Sequence, residues 1–467
     1  MAKSSIEGRT HRRALVADAA LVAGLHALAC VVARLAGFDH VSDDDFARVT
    51  IAQELVARPK LDPSGTSWLP FPFWILGAAM AVLGRTLAVA RGVSIALASL
   101  TAAAPYVALR FVGSARRDAL LATALAFGTP WAVWLGAATV PESFTASLMA
   151  AAAIGLASAV SRGAMRQTVL FALAILAACL SRYEPWPVAA VLAGATLLVA
   201  RRRHVNGAAV SPAVRRACLV AAALSVAGPL AWMAWNAHAH DGPLHFFRRV
   251  SGFKRAIGDG STDVLEALLL YPRLLVTTRP EITLPAVVLL PIALRDPALR
   301  RRWAVPLACV AAQVAFLAYG NARDGAPAHH PERALLGALV VTALFVGDVI
   351  LSALRSPSLV GGGHGPKVFA GAIALAWIVS FARGLDMPGR SRAEDRSRQI
   401  AEGERLRREG VTSLVVRPCA FEHFALVAAY GAPENVRIEP GQGASGGDGP
   451  CPEISDSHQE PADSSPP

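Results

Sequence analysis

Residues 41–74, VSDDDFARVTIAQELVARPKLDPSGTSWLPFPFW, decide how the rest of the chain is read. Three consecutive carboxylates, Asp43, Asp44 and Asp45, follow an apolar segment (14–37) long enough to cross a bilayer. A polar, helix-compatible piece comes next, then a turn at Asp62-Pro63-Ser64-Gly65. The stretch closes on a Trp/Pro/Phe-rich run that reads as an interfacial or re-entrant helix. Charge at the mouth of a membrane domain is costly unless it is wet, paired or used. The stretch therefore predicts an acid/base centre at a membrane surface.

Outward from there the chain is apolar. It has 467 residues, 54% hydrophobic and only 17% charged, with mean hydropathy +0.43, where a soluble domain carries nearer a quarter charged residues. Apolar runs of span length recur over the first four-fifths, so the fold class is an all-α polytopic membrane protein. The net charge of +11 does not point to nucleic acid, because the arginines sit in short clusters between apolar segments. Membrane lipids, with anionic headgroups, are the partners such loops suit.

Charge placement sets the expected topology. Arg9, Arg12 and Arg13 precede the first span, which lacks a small-residue cleavage site and reads as a signal anchor with residues 1–13 cytoplasmic. If 68–84 lies in the outer interface, Arg116 and Arg117 fall inside and later clusters follow. Spans are then expected at 93–112, 118–135, 143–160, 168–181, 185–200, 217–235, 282–294, 303–319, 334–354 and 368–383. Residues 265–277 read as a second interfacial piece in the loop after 238–264. With 14–37 the total is about eleven spans, in the cell inner (plasma) membrane, N-terminus cytoplasmic and C-terminus extracytoplasmic.

The domain reading is a transmembrane domain over 14–384, with an outer loop at 38–92. A small extracytoplasmic α/β region follows at 385–440, and a Gly/Pro/Ser/Asp-rich tail at 441–467 predicts disorder. Within the α/β region, 411–417 reads as a strand, 420–430 as a helix and 436–438 as a second strand. Cys30, Cys179, Cys218 and Cys309 sit in apolar segments as small core residues. Cys419 and Cys451 could pair if their region is outside the cytoplasm.

On this topology four polar clusters share the outer face: Asp43–Asp45, Pro141-Glu142-Ser143, Arg182-Tyr183-Glu184 and His329-His330-Pro331-Glu332-Arg333. A sugar carried on a lipid phosphate needs a general base for the acceptor hydroxyl. The departing phosphate needs cationic stabilisation as its charge grows. Asp44 or a neighbour fits the base; Arg182, Arg333, a histidine at 329–330 or Lys254 fits the phosphate, arginine by its bidentate fork. The aspartate triplet could equally hold a divalent cation (Mg or Mn), or simply cap a helix. His238 and His240 lack further ligands at zinc spacing.

These motifs resemble the GT-C glycosyltransferases, especially the protein O-mannosyltransferases and lipid A aminoarabinose transferases. Asp44-Asp45-Phe46 stands where that family places an acidic pair after its first span. Trp68-Leu69-Pro70-Phe71-Pro72 resembles its aromatic-proline run, and Pro141-Glu142-Ser143-Phe144 its later acidic position. Arg182-Tyr183-Glu184-Pro185-Trp186 and His330-Pro331-Glu332-Arg333 are similar to an Arg-Tyr-Glu-x-Trp motif and a late His/Arg region. Two departures stand out: the pair is Asp-Asp within a triplet, and Ala334 replaces a usual Tyr. The resemblance implies a polyprenyl-phosphate-sugar donor, catalytic Asp43, Asp44, Asp45 and Glu142, and substrate-binding Arg182, Tyr183, Glu184, His330, Arg333, Lys254 and Trp68. The acceptor (lipid, glycan or protein) is left open. The rival expectation is a transporter or flippase of lipid-linked saccharides, although no internal repeat is evident.

Overall fold

The structure is a computed structural model describing residues 2–202, 204–205, 208–256, 263–326, 330–355, 365–385, 388, 391, 394–417 and 421–439. The expected Cys419–Cys451 pair, His329 and the tail 441–467 lie outside the described residues. The chain forms two compact units. The first comprises Met1–Phe38, Ser64–Pro72 and Gly92–Met387; the second comprises Asp39–Pro63, Phe73–Arg91 and Pro388–Pro467. The 41–74 stretch is thus shared, its aspartates in the second unit and its Trp/Pro run in the first.

The helices follow in order. They begin with α1 (Ala2–Leu35), α2 (Asp44–Ala57), α3 (Phe71–Leu83), α4 (Leu87–Val112), α5 (Arg116–Phe127), α6 (Pro130–Ala137), α7 (Glu142–Ser161), α8 (Met165–Cys179) and α9 (Pro185–Arg201). A two-residue-per-strand hairpin, β1 (His204–Val205) with β2 (Ala208–Ala209), lies in the arginine-rich loop. Next come α10 (Pro212–Ala239), α11 (His245–Ala256), α12 (Val264–Thr278), α13 (Pro280–Arg295), α14 (Pro297–Asn321), α15 (Leu336–Arg355) and α16 (Gly365–Arg383). A 3-10 turn, Pro331–Leu335, leads into α15.

This is an all-α polytopic membrane protein. Among the described residues six helices are long and apolar enough to cross a bilayer, or eight spans if two bent pairs each count as one, fewer than the eleven expected; α3, α8 and α9 are shorter apolar helices. Helix α1 exposes Leu21, Leu25, Leu28, Val32 and Leu35, a surface that only lipid would cover in a membrane chain. By contrast α7 and α15 are buried on nearly all sides and form the centre. Their sequences allow it. The α7 run MAAAAIGLA presents small side chains, and at Gly347 of α15 a Cβ would come within 2.7 Å of Ala122 on α5. Close approach of this kind holds helices together where lipid supplies no hydrophobic drive.

Residues 118–135, expected as one span, are instead two helices bent by 73°. Gly128 ends α5, Thr129 caps α6 by accepting from the Ala132 amide at 3.3 Å, and Pro130 is the first helical residue. A capping threonine followed by proline stops one helix and starts another. At Arg279-Pro280 the proline alone marks the restart, without a capping side chain, and α12 is bent from α13 by 100°. The expected loop at 238–264 contains a helix, α11.

Arg116, one of the residues that set the expected topology, has an acidic partner, as do Arg302 and Arg355. Asp18 accepts from Arg116 at 2.7 and 2.8 Å and from the Tyr106 hydroxyl at 2.6 Å. Asp348, near the end of α15, accepts from Arg302 at 2.7 Å and from the Trp303 indole at 2.9 Å, and Arg355 pairs with Asp118.

In the second unit α17 (Ser397–Arg408) packs on α18 (His423–Tyr430), and β3 (Leu414–Val416) pairs in parallel with β4 (Val436–Ile438). Leu406, Leu426, Val427 and Tyr430 form its core. Helix α18 also packs on α2, where Gln53 donates to the Ala428 carbonyl at 2.8 Å and to the Arg85 carbonyl at 3.2 Å. The loop after α1 and the C-terminal α/β region therefore fold together.

Candidate active site

Three prolines set the site. Pro141 precedes Glu142 on the first turn of α7; Pro185 starts α9 directly after Arg182-Tyr183-Glu184; Pro331 starts the 3-10 turn that carries Arg333. Proline favours the first position of a helix, so each charge is fixed at a helix mouth. The beginnings of α7, α9 and α15 converge within the first unit.

The geometry at their meeting point is tight. Glu142 Oε1 accepts from Arg182 Nη1 at 2.6 Å, from Arg333 Nη2 at 2.6 Å and from Arg333 Nε at 2.9 Å. Arg182 also grips Glu184, with Nε at 3.0 Å from each carboxylate oxygen and Nη2 at 2.5 Å from Oε1. All four side chains are largely buried, Glu142 at 2% exposure and Arg333 at 6%. Two guanidiniums balance two carboxylates. Burial without that balance would cost several kcal/mol per ion, so the four act as a unit.

Tyr183 ties this network to the Trp/Pro run. Its hydroxyl donates to the Ser67 carbonyl at 2.6 Å and accepts from the Trp232 indole at 3.1 Å. Its ring stacks on Phe246 of α11 at 4.5 Å and meets Trp186 edge-on at 5.1 Å. Leu69, two residues beyond Ser67, lies in the same aromatic cluster, and the Phe71 amide donates to Leu180 at 3.0 Å. Trp68 is half-buried, its carbonyl accepting from the Ser64 hydroxyl at 3.0 Å. His330 adopts a left-handed backbone (φ 51°), and its Nδ1 is 3.3 Å from Glu332. Lys254 is buried on α11 and donates to Asn321 Oδ1 at 2.8 Å.

One residue of this neighbourhood escaped the sequence reading. Tyr271 of α12 is fully buried, packs against Ala334 and Leu335 beside Arg333, and lies within the electrostatic reach of Glu184, Arg182 and Glu332. Among the described residues its hydroxyl has no hydrogen-bond partner. In the apolar run LLLYPRLL it reads as an ordinary interfacial tyrosine.

The aspartate triplet, in the second unit, has divided duties. Arg396 grips Asp43 in a fork at 2.8 and 2.9 Å, and that hydrogen bond raises the guanidinium's own affinity for its proton. Asp45 is buried, its Oδ2 accepting from the Val41 and Ser42 amides at 3.2 Å each. Asp44 opens α2, half-buried. Asp43 is thus held by a guanidinium and Asp45 Oδ2 by two backbone amides. Among the described residues no three His, Cys, Asp or Glu side chains gather as metal ligands, the pair His238 and His240 included.

Fold and site together define a polytopic helical membrane protein with a buried ionic network at the mouths of its central helices. No protein-family model matches the chain, and no curated protein does. Among solved structures it is similar to ArnT from Cupriavidus metallidurans bound to undecaprenyl phosphate, with 13% identity, 91% of this chain and 76% of that chain covered, and TM-score 0.49. It is also similar to the oligosaccharyltransferase of Archaeoglobus fulgidus in the apo form, with 14% identity, 91% and 64% covered, and TM-score 0.48. The chain thus spans less than two thirds of the second structure. At this level of similarity the likeness carries nothing about chemistry, which must come from the side chains.

Proposed function

We propose that this chain is an integral membrane glycosyltransferase that moves a sugar from a polyprenyl-phosphate-linked donor to an acceptor at the extracytoplasmic face. The observation that carries the reading is the convergence of Arg182 and Arg333 on one buried carboxylate. Two guanidiniums held in advance in a protected site suit a leaving group whose negative charge grows as its bond breaks. Glu142 and Glu184 then position the guanidiniums, keeping them neutralised until the phosphate arrives.

In this reading the acceptor oxygen forms a bond to the anomeric carbon as the carbon–oxygen bond to phosphate breaks. The bonding electrons leave with the phosphate oxygen, the acceptor proton passes to an aspartate of the 43–45 cluster, and the anomeric centre inverts. Any of Asp43, Asp44 and Asp45 can fill that role: Asp43 is held by Arg396, and Asp45 accepts from backbone amides through Oδ2. Positioned proton transfer contributes about a hundred- to ten-thousandfold.

The test is transfer from a panel of polyprenyl-phosphate sugars by purified protein. Wild type should turn over at least one donor, and Asn at the aspartate that serves as base should lose about a hundredfold or more. Normal turnover in Asn variants of Asp43, Asp44 and Asp45, singly and combined, would end the proposal of an aspartate base.

A further inference from the structure

Helix α14 carries a buried amide between apolar neighbours. Gln313 is 1% exposed and sits about 12 Å along the helix axis from Asn321, the last residue of α14. Its Nε2 donates to the Ala334 carbonyl at 2.9 Å, while among the described residues its Oε1 has no hydrogen-bond partner. Ala334 follows Arg333 in the 3-10 turn, just before that turn passes into α15. A polar side chain inside a membrane helix is costly, and an unpartnered acceptor adds to the cost. Leucine or methionine would fill the same space without either.

The surroundings are shaped to that bond. At Gly337 of α15 a Cβ would come within 2.2 Å of Met149 Cε and 3.4 Å of Gln313 Oε1. Met149 lies two turns along α7 from Glu142, on the same face. Helices α7, α14 and α15 therefore close on one seam. At one end Glu142 takes the Arg333 guanidinium, next to it Gln313 takes the Ala334 carbonyl, and Gly337 leaves room for Gln313 and Met149. Ala334 and Leu335 also pack with Tyr271 and Leu317. The Arg333 amide itself donates to the His330 carbonyl at 3.0 Å. The backbone is thus pinned on both sides of the Arg333 side chain, which fixes the direction in which that side chain leaves the turn.

We infer that Gln313 is the positioning residue for Arg333, its amide holding the Ala334 carbonyl so that both Arg333 nitrogens meet Glu142 Oε1. A guanidinium that makes two directed bonds tolerates little rotation. Misplacing such a group by about 1 Å can cost about a hundredfold in rate. What Arg333 does once placed rests on the glycosyltransferase reading; its placement by Gln313 does not.

The experiment uses the full chain in nanodiscs, comparing wild type, Gln313→Met, Gln313→Asn, Arg333→Lys and Gln313→Met combined with Arg333→Lys. Methionine fills the site without a donor; asparagine keeps the amide and loses one methylene of reach. Hydrogen exchange read by mass spectrometry should quicken about tenfold over residues 333–338 in both single Gln313 variants. The unfolding midpoint of Gln313→Met should stay near wild type, because methionine removes one unpartnered acceptor as it frees another. With the polyprenyl-phosphate sugar that wild type uses best, kcat should fall about tenfold or more at nearly unchanged KM. In the Arg333→Lys background, Gln313→Met should cost less than about twofold further. Unchanged exchange over 333–338, or the same fold loss in both backgrounds, would overturn the role of Gln313 and leave the transferase reading intact. A wild type that turns over no polyprenyl-phosphate sugar would instead sink that reading, and exchange would still decide whether Gln313 holds the turn.

Discussion

Arg333 closes on Glu142 across 191 residues of chain, donating from both Nε and Nη2 to the same carboxylate oxygen. Arg182 reaches that oxygen from another direction. Removing the carboxylate would leave two buried guanidiniums with Glu184 as their remaining anion here. Glu142→Ala should therefore destabilise the protein by about 3–5 kcal/mol, the usual cost of breaking a buried pair. Denaturant unfolding in a fixed detergent checks this. Glu142→Ala unfolding at the wild-type midpoint would mean the network is wet and weak.

Arg333→Lys separates charge from geometry. Lysine keeps the positive charge but has no planar fork, so it cannot reproduce the two bonds that Arg333 makes. Turnover should fall about tenfold or more with only a modest loss of stability. Equal turnover in Arg333→Lys and wild type would show that a point charge suffices.

How much of this was legible beforehand depends on separation along the chain. The helices were visible because hydropathy is a local property, and every expected span overlaps a helix or the bent pair α5–α6; yet among the described residues six to eight spans, not the expected eleven, are long and apolar enough to cross, and 282–294 reaches that length only together with the 265–277 piece expected to lie in the interface. The bend itself was written as Gly128-Thr129-Pro130, a stop-and-restart signal outweighed by the apolar residues around it. Glu142, Arg182 and Arg333 were legible as candidates because charge is scarce in such a chain. Their pairing was not, since nothing local couples positions so distant. The same distance hid Arg396, 353 residues from Asp43, and with it the folding of the first loop onto the C-terminal region. Tyr271 stayed hidden for a different reason: an interfacial tyrosine and a buried one look alike in sequence.

Tyr271→Phe tests whether its buried hydroxyl serves the site or the fold. With no hydrogen-bond partner among the described residues, the hydroxyl contributes no bond to stability, and its removal should leave the unfolding midpoint unchanged or slightly raised. A fall in turnover at constant stability would place the hydroxyl on substrate. A loss of about 1 kcal/mol or more in stability would instead reveal a structural bond.

The second unit has a pH-sensitive joint ahead of α17. Asp395 accepts from the Ser397 hydroxyl at 2.5 Å and from the Ser397 amide at 2.9 Å. The hydroxyl contact, with the amide behind it, holds the Asp395 carboxyl below its ordinary value of 3.8. A carboxylate whose affinity for its proton is lowered by folding stabilises the fold above its ordinary range. That contribution fades as pH falls through the lowered value, because the folded state must then accept the proton. Asp395→Asn has no such charge to lose. Melting curves of the two proteins should therefore differ near neutrality and converge as pH falls from about 5 towards 2, with Ser397→Ala showing a smaller pH dependence than wild type. A gap between wild type and Asp395→Asn that stays constant over that range would show that the carboxylate contributes nothing to folding through its charge.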